Sequence, residues 1–174
     1  MRKQAPSTDR LLYEETEAKS PGDICMLWGR YFEHLYAEKE EDGFDSEFYK
    51  NISNKVNNSF NNNCKRYIDT LDKSITEDEI RTQIQTLKTG KSPGQDCISN
   101  EHIIYGGEPL IKRMCFMYNL ILKYEYLPLT FRHGIIIPLY KGNNKDKTNP
   151  NSYRALTLTS ALGKLFEKII LCRI

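Results

Sequence analysis

Two short runs of β-branched and other apolar residues, 134–141 and 153–159, stand out in a chain whose remaining apolar residues mostly recur at three- and four-residue steps. Such runs predict strands, and the polar segment 142–152 between them contains Gly, Asn and Pro, which favour a turn. We therefore predict one antiparallel strand pair with a long connection in a mainly helical α+β chain. A length of 174 residues leaves no room for two full catalytic domains.

A first helix is predicted from Asp23 onward by an apolar stripe that is rich in aromatic residues. Apolar side chains that recur every three to four residues share one side of a helix, which then faces the protein core. We interpret this stripe as a packing face rather than a binding site. Its members are Ile24, Leu27, Trp28, Tyr31, Phe32 and Leu35. Apolar residues at every fourth position between Asp45 and Asn63 predict a second helix.

Local signals for helix ends predict three further helices. Thr76 and Glu79 have the spacing of a capping box, which predicts a helix that ends near Lys88. Pro109 suits the first turn of another helix. Ser160 is a favourable N-cap for a last helix.

The charge distribution gives a first indication of function. Residues 1–90 contain 13 Lys and Arg against 17 Asp and Glu, whereas residues 91–174 contain 12 against 6. A basic half gains free energy when it displaces counterions from a nucleic-acid backbone. The same charges also suit a solvated surface of mixed charge, and the composition leaves both interpretations open.

The sequence offers little to bind a metal ion or to form disulfides. Its five cysteines and three histidines show neither a C-x-x-C pair nor another zinc-ligand spacing. We therefore predict no metal site and no cofactor in this chain. No apolar run reaches the roughly 18 residues of a membrane span and no signal peptide is recognisable, so we expect an intracellular protein without membrane contact.

Two cations flank the predicted connection between the strands. Lys141 ends the first strand and Arg154 lies near the start of the second, so antiparallel pairing puts both at the same end of the ribbon. An Arg fork and a Lys point charge in one place suit a polyphosphate. Lys145 and Lys147 on the connection are possible nucleic-acid contacts. Edge charges that merely discourage aggregation have the same pattern, and the spacing does not decide between the two interpretations.

Several sequence blocks together resemble a known protein family. The blocks are Ile75–Ile80, Lys88–Ile98, Gly134–Gly142 and Tyr153–Ser160, and Trp28-x-x-Tyr31-Phe32 resembles the region before them. The chain from Ile75 to Ile174 resembles the amino-terminal part of the reverse transcriptase domain of non-LTR, or LINE-type, retrotransposons. The resemblance implies the fingers of a right-hand RNA-directed DNA polymerase, with the palm absent.

The resemblance also implies roles for individual residues. Lys141 and Arg154 would contact the triphosphate of the incoming nucleotide. The loop that lies against the template corresponds to Lys91, Ser92, Pro93, Gly94 and Asp96. Cys97 stands where the family usually has Gly, which puts the loop geometry in question because Gly tolerates a left-handed backbone best. Ala155 stands where Pro is common.

The catalytic residues of such a polymerase are expected outside this chain. The reaction needs two Mg²⁺ ions held by Asp carboxylates. In the family these aspartates follow the second fingers strand, whereas the last Asp here, Asp146, precedes it. We therefore predict a fragment that is inactive alone, from an enzyme that uses an RNA template, a DNA primer and deoxynucleoside triphosphates together with the remainder of the polymerase chain. The alternatives are a non-catalytic nucleic-acid-binding module and a decayed element with no function.

The residue pattern and the resemblance together predict a division of the chain. Residues 1–22 are predicted to be a linker or disordered arm, 23–74 a helical region that precedes the polymerase domain, and 75–174 an incomplete reverse transcriptase domain. Fingers helices and strands normally bury apolar surface against the palm, so we expect exposed apolar patches.

Overall fold

The computed structural model describes residues 9–37, 45–61 and 69–174. The chain divides into two compact units, one containing residues 1–65 and 138–154 and the other containing residues 66–137 and 155–174. The elements in chain order are β1 (Leu11–Tyr13), β2 (Thr16–Ala18), α1 (Pro21–Tyr36), α2 (Ser46–Asn61), α3 (Asp69–Asp72), α4 (Glu77–Gln85), α5 (Asn100–Ile104), α6 (Gly107–Tyr124), α7 (Leu129–Arg132), β3 (Gly134–Tyr140), a 3₁₀ turn (Pro150–Ser152), β4 (Tyr153–Thr159) and α8 (Ala161–Leu171). The described residues are mainly helical, with β1 pairing β2 and β3 pairing β4, which fits the α+β class.

The β1–β2 hairpin is an element that the sequence analysis did not predict. Leu11 pairs with Ala18, and both side chains are buried in the core of the first unit. The turn passes through Glu14 at φ 53, a left-handed conformation that residues other than Gly rarely adopt. Without a Gly or Asn as turn signal, three-residue strands leave no readable pattern. The predicted single strand pair is therefore corrected to two, and residues 1–8 lie outside the described ranges.

Helix α1 forms where the aromatic stripe predicts it, and the stripe is a packing face. Ser20 caps the helix, because its Oγ accepts the Asp23 N–H at 3.2 Å. The Trp28 ring meets the ring of Tyr153 edge to face, with 5.0 Å between centroids. Leu35, at 47% exposed, does not join the core. The hydrophobic core of the first unit is formed by the buried side chains of Leu11, Ala18, Leu27, Trp28, Tyr31, Phe32 and Tyr153.

Helix α2 confirms the helix predicted between 45 and 63, up to Asn61. Its apolar side chains Phe48, Ile52 and Val56 are 40–63% exposed. In the described ranges, no helix is both long enough and apolar enough to cross a membrane.

The core of the second unit lies between α4, α6 and α8. The predicted capping box is present: Thr76 Oγ1 accepts the Glu79 N–H at 3.2 Å, and Glu79 Oε2 accepts the Thr76 N–H at 2.8 Å. Ser160 caps α8 by accepting the Gly163 N–H at 3.3 Å. The buried side chains are Ile75, Ile80, Ile103, Ile111, Met114, Tyr118, Ile121, Ala161, Leu165 and Ile169.

Arg173, which follows α8, fastens that end of the chain to the segment before α4. Its side chain is 7% exposed, and its guanidinium donates to both Glu79 carboxylate oxygens at 2.8 and 2.9 Å. The other N–H groups donate to the carbonyl oxygens of Leu71, Lys73 and Ser74. All five guanidinium donors are therefore used. The side-chain hydrogen bonds from Arg173 are the largest cause of the fall in the Glu79 pKa to about 2.

The ribbon of β3 and β4 confirms the two predicted strands. The side chains of β3 are exposed on both faces, because Ile135, Ile136, Ile137 and Leu139 retain 37–46% of their accessible surface. Leu156 on β4 is 43% exposed. The ribbon thus presents apolar surface on both strands. The helices α3, α5 and α7 have only four or five residues each, too few for periodicity to predict.

Candidate functional site

The connection between β3 and β4, residues 141–152, carries the predicted triphosphate contact Lys141 and the possible nucleic-acid contacts Lys145 and Lys147, and it is attached to its own unit. Tyr31 Oη donates to Asn151 Oδ1 at 3.1 Å. The Leu12 N–H donates to Thr148 O at 2.8 Å. The connection is therefore held by α1 on one side and by β1 on the other.

Two tyrosines at the strand ends hold the middle of the connection by hydrogen bonds to its backbone. Tyr153 Oη donates to Lys147 O at 2.8 Å, and Tyr140 Oη donates to Lys145 O. The Lys147 ammonium also lies 5.9 Å from the centre of the Tyr140 ring, within reach of a cation–π contact. Both lysine side chains are exposed, while their backbones are anchored.

Lys141 and Arg154 lie where the strands meet the connection. The Lys141 N–H donates to Ser152 O at 2.9 Å, so Lys141 stands opposite Ser152. Arg154 follows Ser152 by two residues and is the second residue of β4. Lys141 directly follows β3, so both cations lie at the same end of the ribbon, next to the connection. Lys141 Nζ donates to Asn151 O at 2.7 Å, and Arg154 is exposed.

One carboxylate, Asp146, lies among these cations in the sequence. Its Oδ1 accepts both the hydroxyl and the backbone N–H of Thr148, at 2.7 and 2.8 Å. These bonds, the hydroxyl one first, lower the pKa of Asp146, which is therefore ionised at neutral pH. Residues 141–154 thus combine four cations with one carboxylate that serves to shape a turn.

The loop 88–100, in the second unit, contains the predicted template contacts and is fastened at both ends. The Gly90 N–H donates to Glu101 Oε1 at 2.5 Å, with Gly90 at φ +73. Asn100 Nδ2 donates to Lys88 O at 2.7 Å. The Gly90 hydrogen bond is the largest cause of the lowered pKa of Glu101. A charged carboxylate therefore holds the start of the loop.

The predicted template residues differ in exposure along this loop. Gly94 is buried, and a Cβ added to it would lie 2.7–2.8 Å from backbone atoms of Thr159 and Ser160. Only a residue without a side chain lets the loop lie this close to the start of α8. Asp96 is half-buried. The exposed members are Lys91, Ser92 and Pro93.

Asp96 and Cys97 shape the turn that follows. Asp96 Oδ1 accepts the Ile98 N–H at 3.1 Å, and the Cys97 N–H donates to Gly94 O at 3.1 Å. Cys97 has φ 57, in the left-handed region. The backbone conformation that suits Gly is therefore kept with Cys in place, at a cost of about 1–2 kcal/mol.

The part of the chain that the structure describes contains no group of three or more His, Cys, Asp or Glu side chains able to hold a metal ion. Cysteines 25, 97, 115 and 172 are free thiols. Cys64 lies outside the described ranges.

Sequence reasoning missed the residues that position the connection. Tyr31 was assigned to packing alone, yet its hydroxyl also holds Asn151, 120 residues away. The aromatic stripe is readable in the sequence, but the partner of a hydroxyl at that separation is not. The two groups of predicted contacts belong to different units.

Comparisons with known proteins define a class for much of this chain. No protein-family model matches it. About 58% of the chain is homologous, at about 30% identity, to RNA-directed DNA polymerases of non-LTR retrotransposons of Drosophila. The resemblance predicted from the sequence blocks is therefore confirmed.

Three of these relatives show the extent of the similarity. The chain is 30% identical over 101 residues, 58% of its length, to the RNA-directed DNA polymerase from mobile element jockey of Drosophila melanogaster. It is 32% identical over 102 residues, 59% of its length, to the probable RNA-directed DNA polymerase from transposon BS of the same fly. It is 29% identical over 106 residues, 60% of its length, to the retrovirus-related Pol polyprotein from type-1 retrotransposable element R1 of Bradysia coprophila. The chain spans only 10–11% of the length of these relatives.

Proposed function

We propose that this chain is the fingers segment of a retrotransposon RNA-directed DNA polymerase, which contacts the incoming nucleotide and the template and lacks the catalytic aspartates. The similarity to the jockey and BS polymerases supports the class. The observation that carries the nucleotide contact is the hydrogen bond from the Lys141 N–H to Ser152 O, which brings Lys141 to the same end of the ribbon as Arg154.

Lys141 and Arg154 supply two different kinds of phosphate contact. The Arg154 guanidinium is planar and can donate two parallel hydrogen bonds to one phosphate group. The Lys141 ammonium has three N–H donors, of which one bonds Asn151 O, so two are left for phosphate oxygens. Each charge-assisted bond contributes about 1.5–3 kcal/mol. The pair therefore orients a triphosphate without carrying out chemistry on it.

The loop at 91–96 supplies the template contacts. Lys91 and Ser92 are exposed and offer an ammonium and a hydroxyl to a nucleic-acid backbone. Gly94 and Asp96 act by positioning Lys91 and Ser92. Gly94 lets the loop lie close to the start of α8, and Asp96 accepts the hydrogen bond that shapes the following turn. In the first unit, Lys145 and Lys147 are separate candidates for phosphate contacts.

In the complete enzyme, Mg²⁺ supplies charge stabilisation at the reacting phosphate. Its ligands, the primer contacts and the activity belong to the remainder of the polymerase chain. The partners proposed for the whole protein are an RNA template, a DNA primer and deoxynucleoside triphosphates.

The nucleotide contact is tested by titrating the purified chain with a fluorescent deoxyadenosine triphosphate analogue. Replacing Lys141 or Arg154 with Ala should weaken binding at least about tenfold, since each removes one or more charge-assisted bonds. The matched control replaces Arg30 and Lys50 with Ala, both of which are exposed cations of the same unit. Equal affinities of Lys141→Ala, Arg154→Ala and the control would refute the assignment.

A non-catalytic nucleic-acid-binding module is the second candidate function. The observation in its favour is the anchored connection, which presents Lys145 and Lys147 on fixed backbone. This function predicts salt-dependent RNA binding that falls when both lysines are replaced with Gln, with triphosphate affinity unchanged. Triphosphate binding that depends on Arg154 favours the polymerase segment instead.

A further inference from the structure

Helix α6 turns one side to the core and leaves the opposite side exposed. On that opposite side, the Phe116 side chain is 64% exposed and Tyr124 is 65% exposed, although aromatic rings normally pack inside. The outer face of α6 is defined by Lys112, Arg113, Phe116, Leu120, Lys123 and Tyr124. These residues follow one another at steps of one, three and four, so they form one continuous stripe.

The outer face of α6 carries an excess of positive charge. The acidic residue of α6 is Glu108, and Arg81 binds its carboxylate through Nη2 at 2.5 Å and Nε at 3.1 Å. Arg81 is thereby the largest cause of the lowered pKa of Glu108. From residue 109 to 124 the helix has three cations and no carboxylate. In the described ranges these cations form no ion pair.

Cations and rings alternate along this face. Lys112 and Arg113 lie at one end, and Lys123 lies at the other, 5.4 Å from the centre of the Tyr124 ring. Between residues 112 and 124 the helix rises by roughly 18 Å, at 1.5 Å per residue. A surface cavity of about 460 Å³ lies beside Phe116 and is lined by Glu108, Pro109, Lys112, Arg113 and Phe116. Its volume is in the range of small-ligand pockets.

We propose that the outer face of α6 binds single-stranded nucleic acid, with phosphates on the cations and bases stacked on Phe116 and Tyr124. Exposed rings interleaved with cations are the combination that single strands require, because every base has a face to stack and every linkage has a charge. A duplex keeps its bases stacked on each other and cannot use the rings. This surface does not depend on Lys141 or Arg154, which belong to the other unit.

The experiment measures fluorescence anisotropy of a labelled 12-nucleotide uridine RNA with the purified chain at 50 and 200 mM NaCl. Phe116→Ala should weaken binding about 5- to 100-fold through the lost stacking. Phe116→Tyr keeps a ring and should bind as the parent chain does. Replacing Lys112 and Arg113 with Gln should reduce the slope of log affinity against log salt by about 1.4, at about 0.7 for each phosphate contact.

Matched controls come from the same unit. Tyr105→Ala removes an aromatic side chain that is 77% exposed but lies off the stripe. Replacing Arg132 and Lys164 with Gln removes two exposed cations elsewhere. Neither control should change affinity more than twofold, and thermal unfolding checks that every variant is folded.

Three results would overturn the proposal. The first is RNA affinity within twofold of the parent for both Phe116→Ala and the Lys112/Arg113 variant. The second is equal binding of a duplex of the same length. The third is self-association that Phe116→Ala abolishes without any change in RNA binding, which would assign the face to a protein contact. Loss of triphosphate binding in Lys141→Ala with intact RNA binding leaves this proposal standing, so the two proposals fail independently.

Discussion

Acid should destabilise the second unit by releasing the contact between Arg173 and Glu79. The Glu79 pKa falls from 4.5 to about 2 on folding, mainly through the side-chain bonds from Arg173. A folded-state pKa below the unfolded one stabilises the protein above pH 4.5, and this contribution is lost as the pH falls toward 2. The full shift corresponds to about 3 kcal/mol at 1.36 kcal/mol per pKa unit. Because the Glu79 side chain is 34% exposed, solvent screening reduces this to about 1–2 kcal/mol.

The assay compares urea unfolding of the parent chain and Glu79→Gln between pH 7 and pH 2, followed by circular dichroism. Gln keeps an acceptor for the Thr76 N–H, so the capping box is largely retained. Other carboxylates with lowered pKa values are present in both proteins and cancel in the difference. We expect the parent to be more stable by about 1–2 kcal/mol at pH 6, with the difference vanishing near pH 2.

A stability difference that stays constant from pH 6 to pH 2 would refute this reasoning. It would mean that the charge of Glu79 does not stabilise the fold, whatever its hydrogen bonds contribute. Replacing Arg173 with Met both in the parent chain and in the Glu79→Gln background completes a double-mutant cycle, and its coupling energy should follow the same pH dependence.

Two further predictions concern the loop 88–100. Gly94→Ala should lower the free energy of unfolding in urea by about 1–3 kcal/mol, because the added Cβ would contact backbone atoms, which cannot move aside as a side chain can. The control, Gly29→Ala, has open space around the added Cβ and should be neutral or stabilising. An unaffected Gly94→Ala protein would contradict the close packing. Cys97→Gly should stabilise by about 0.5–1 kcal/mol, since relief of the left-handed backbone exceeds the added unfolded-state entropy, whereas Cys97→Ala keeps a Cβ and should not. Equal midpoints of Cys97→Gly and Cys97→Ala in thermal unfolding would count against the strain.

The elements that the sequence predicts are those whose cause is local. The capping box needs only Thr76 and Glu79, and the stripe of α1 needs only helical spacing. The signals for α8 and the two ribbon strands are equally short-range. Each of these elements forms close to its predicted bounds because the physical reason lies within one or two turns of chain.

The elements that the sequence does not predict depend on distant partners. The β1–β2 hairpin turns at Glu14 without a residue that favours φ above zero, and Leu11 is buried only because α1 covers it. Arg173 looks like an ordinary basic residue near a helix end, yet its five bonds reach residues about 100 positions earlier. Phe116 lies on the exposed side of α6, which only the packing of the opposite side against the core identifies.

The predicted site residues separate into those that can touch a ligand and those that position them. An Asp96 carboxylate oxygen accepts a hydrogen bond from the Ile98 N–H, and Gly94 is buried against the start of α8. Their replacement should therefore act on the stability of the loop before it acts on binding. Lys91 and Arg154 are exposed, so their replacement should act on binding with little change in stability. Lys141 belongs to both groups because its ammonium already bonds Asn151 O. Measuring stability and affinity for each variant therefore distinguishes a ligand contact from a fold contact at every predicted position.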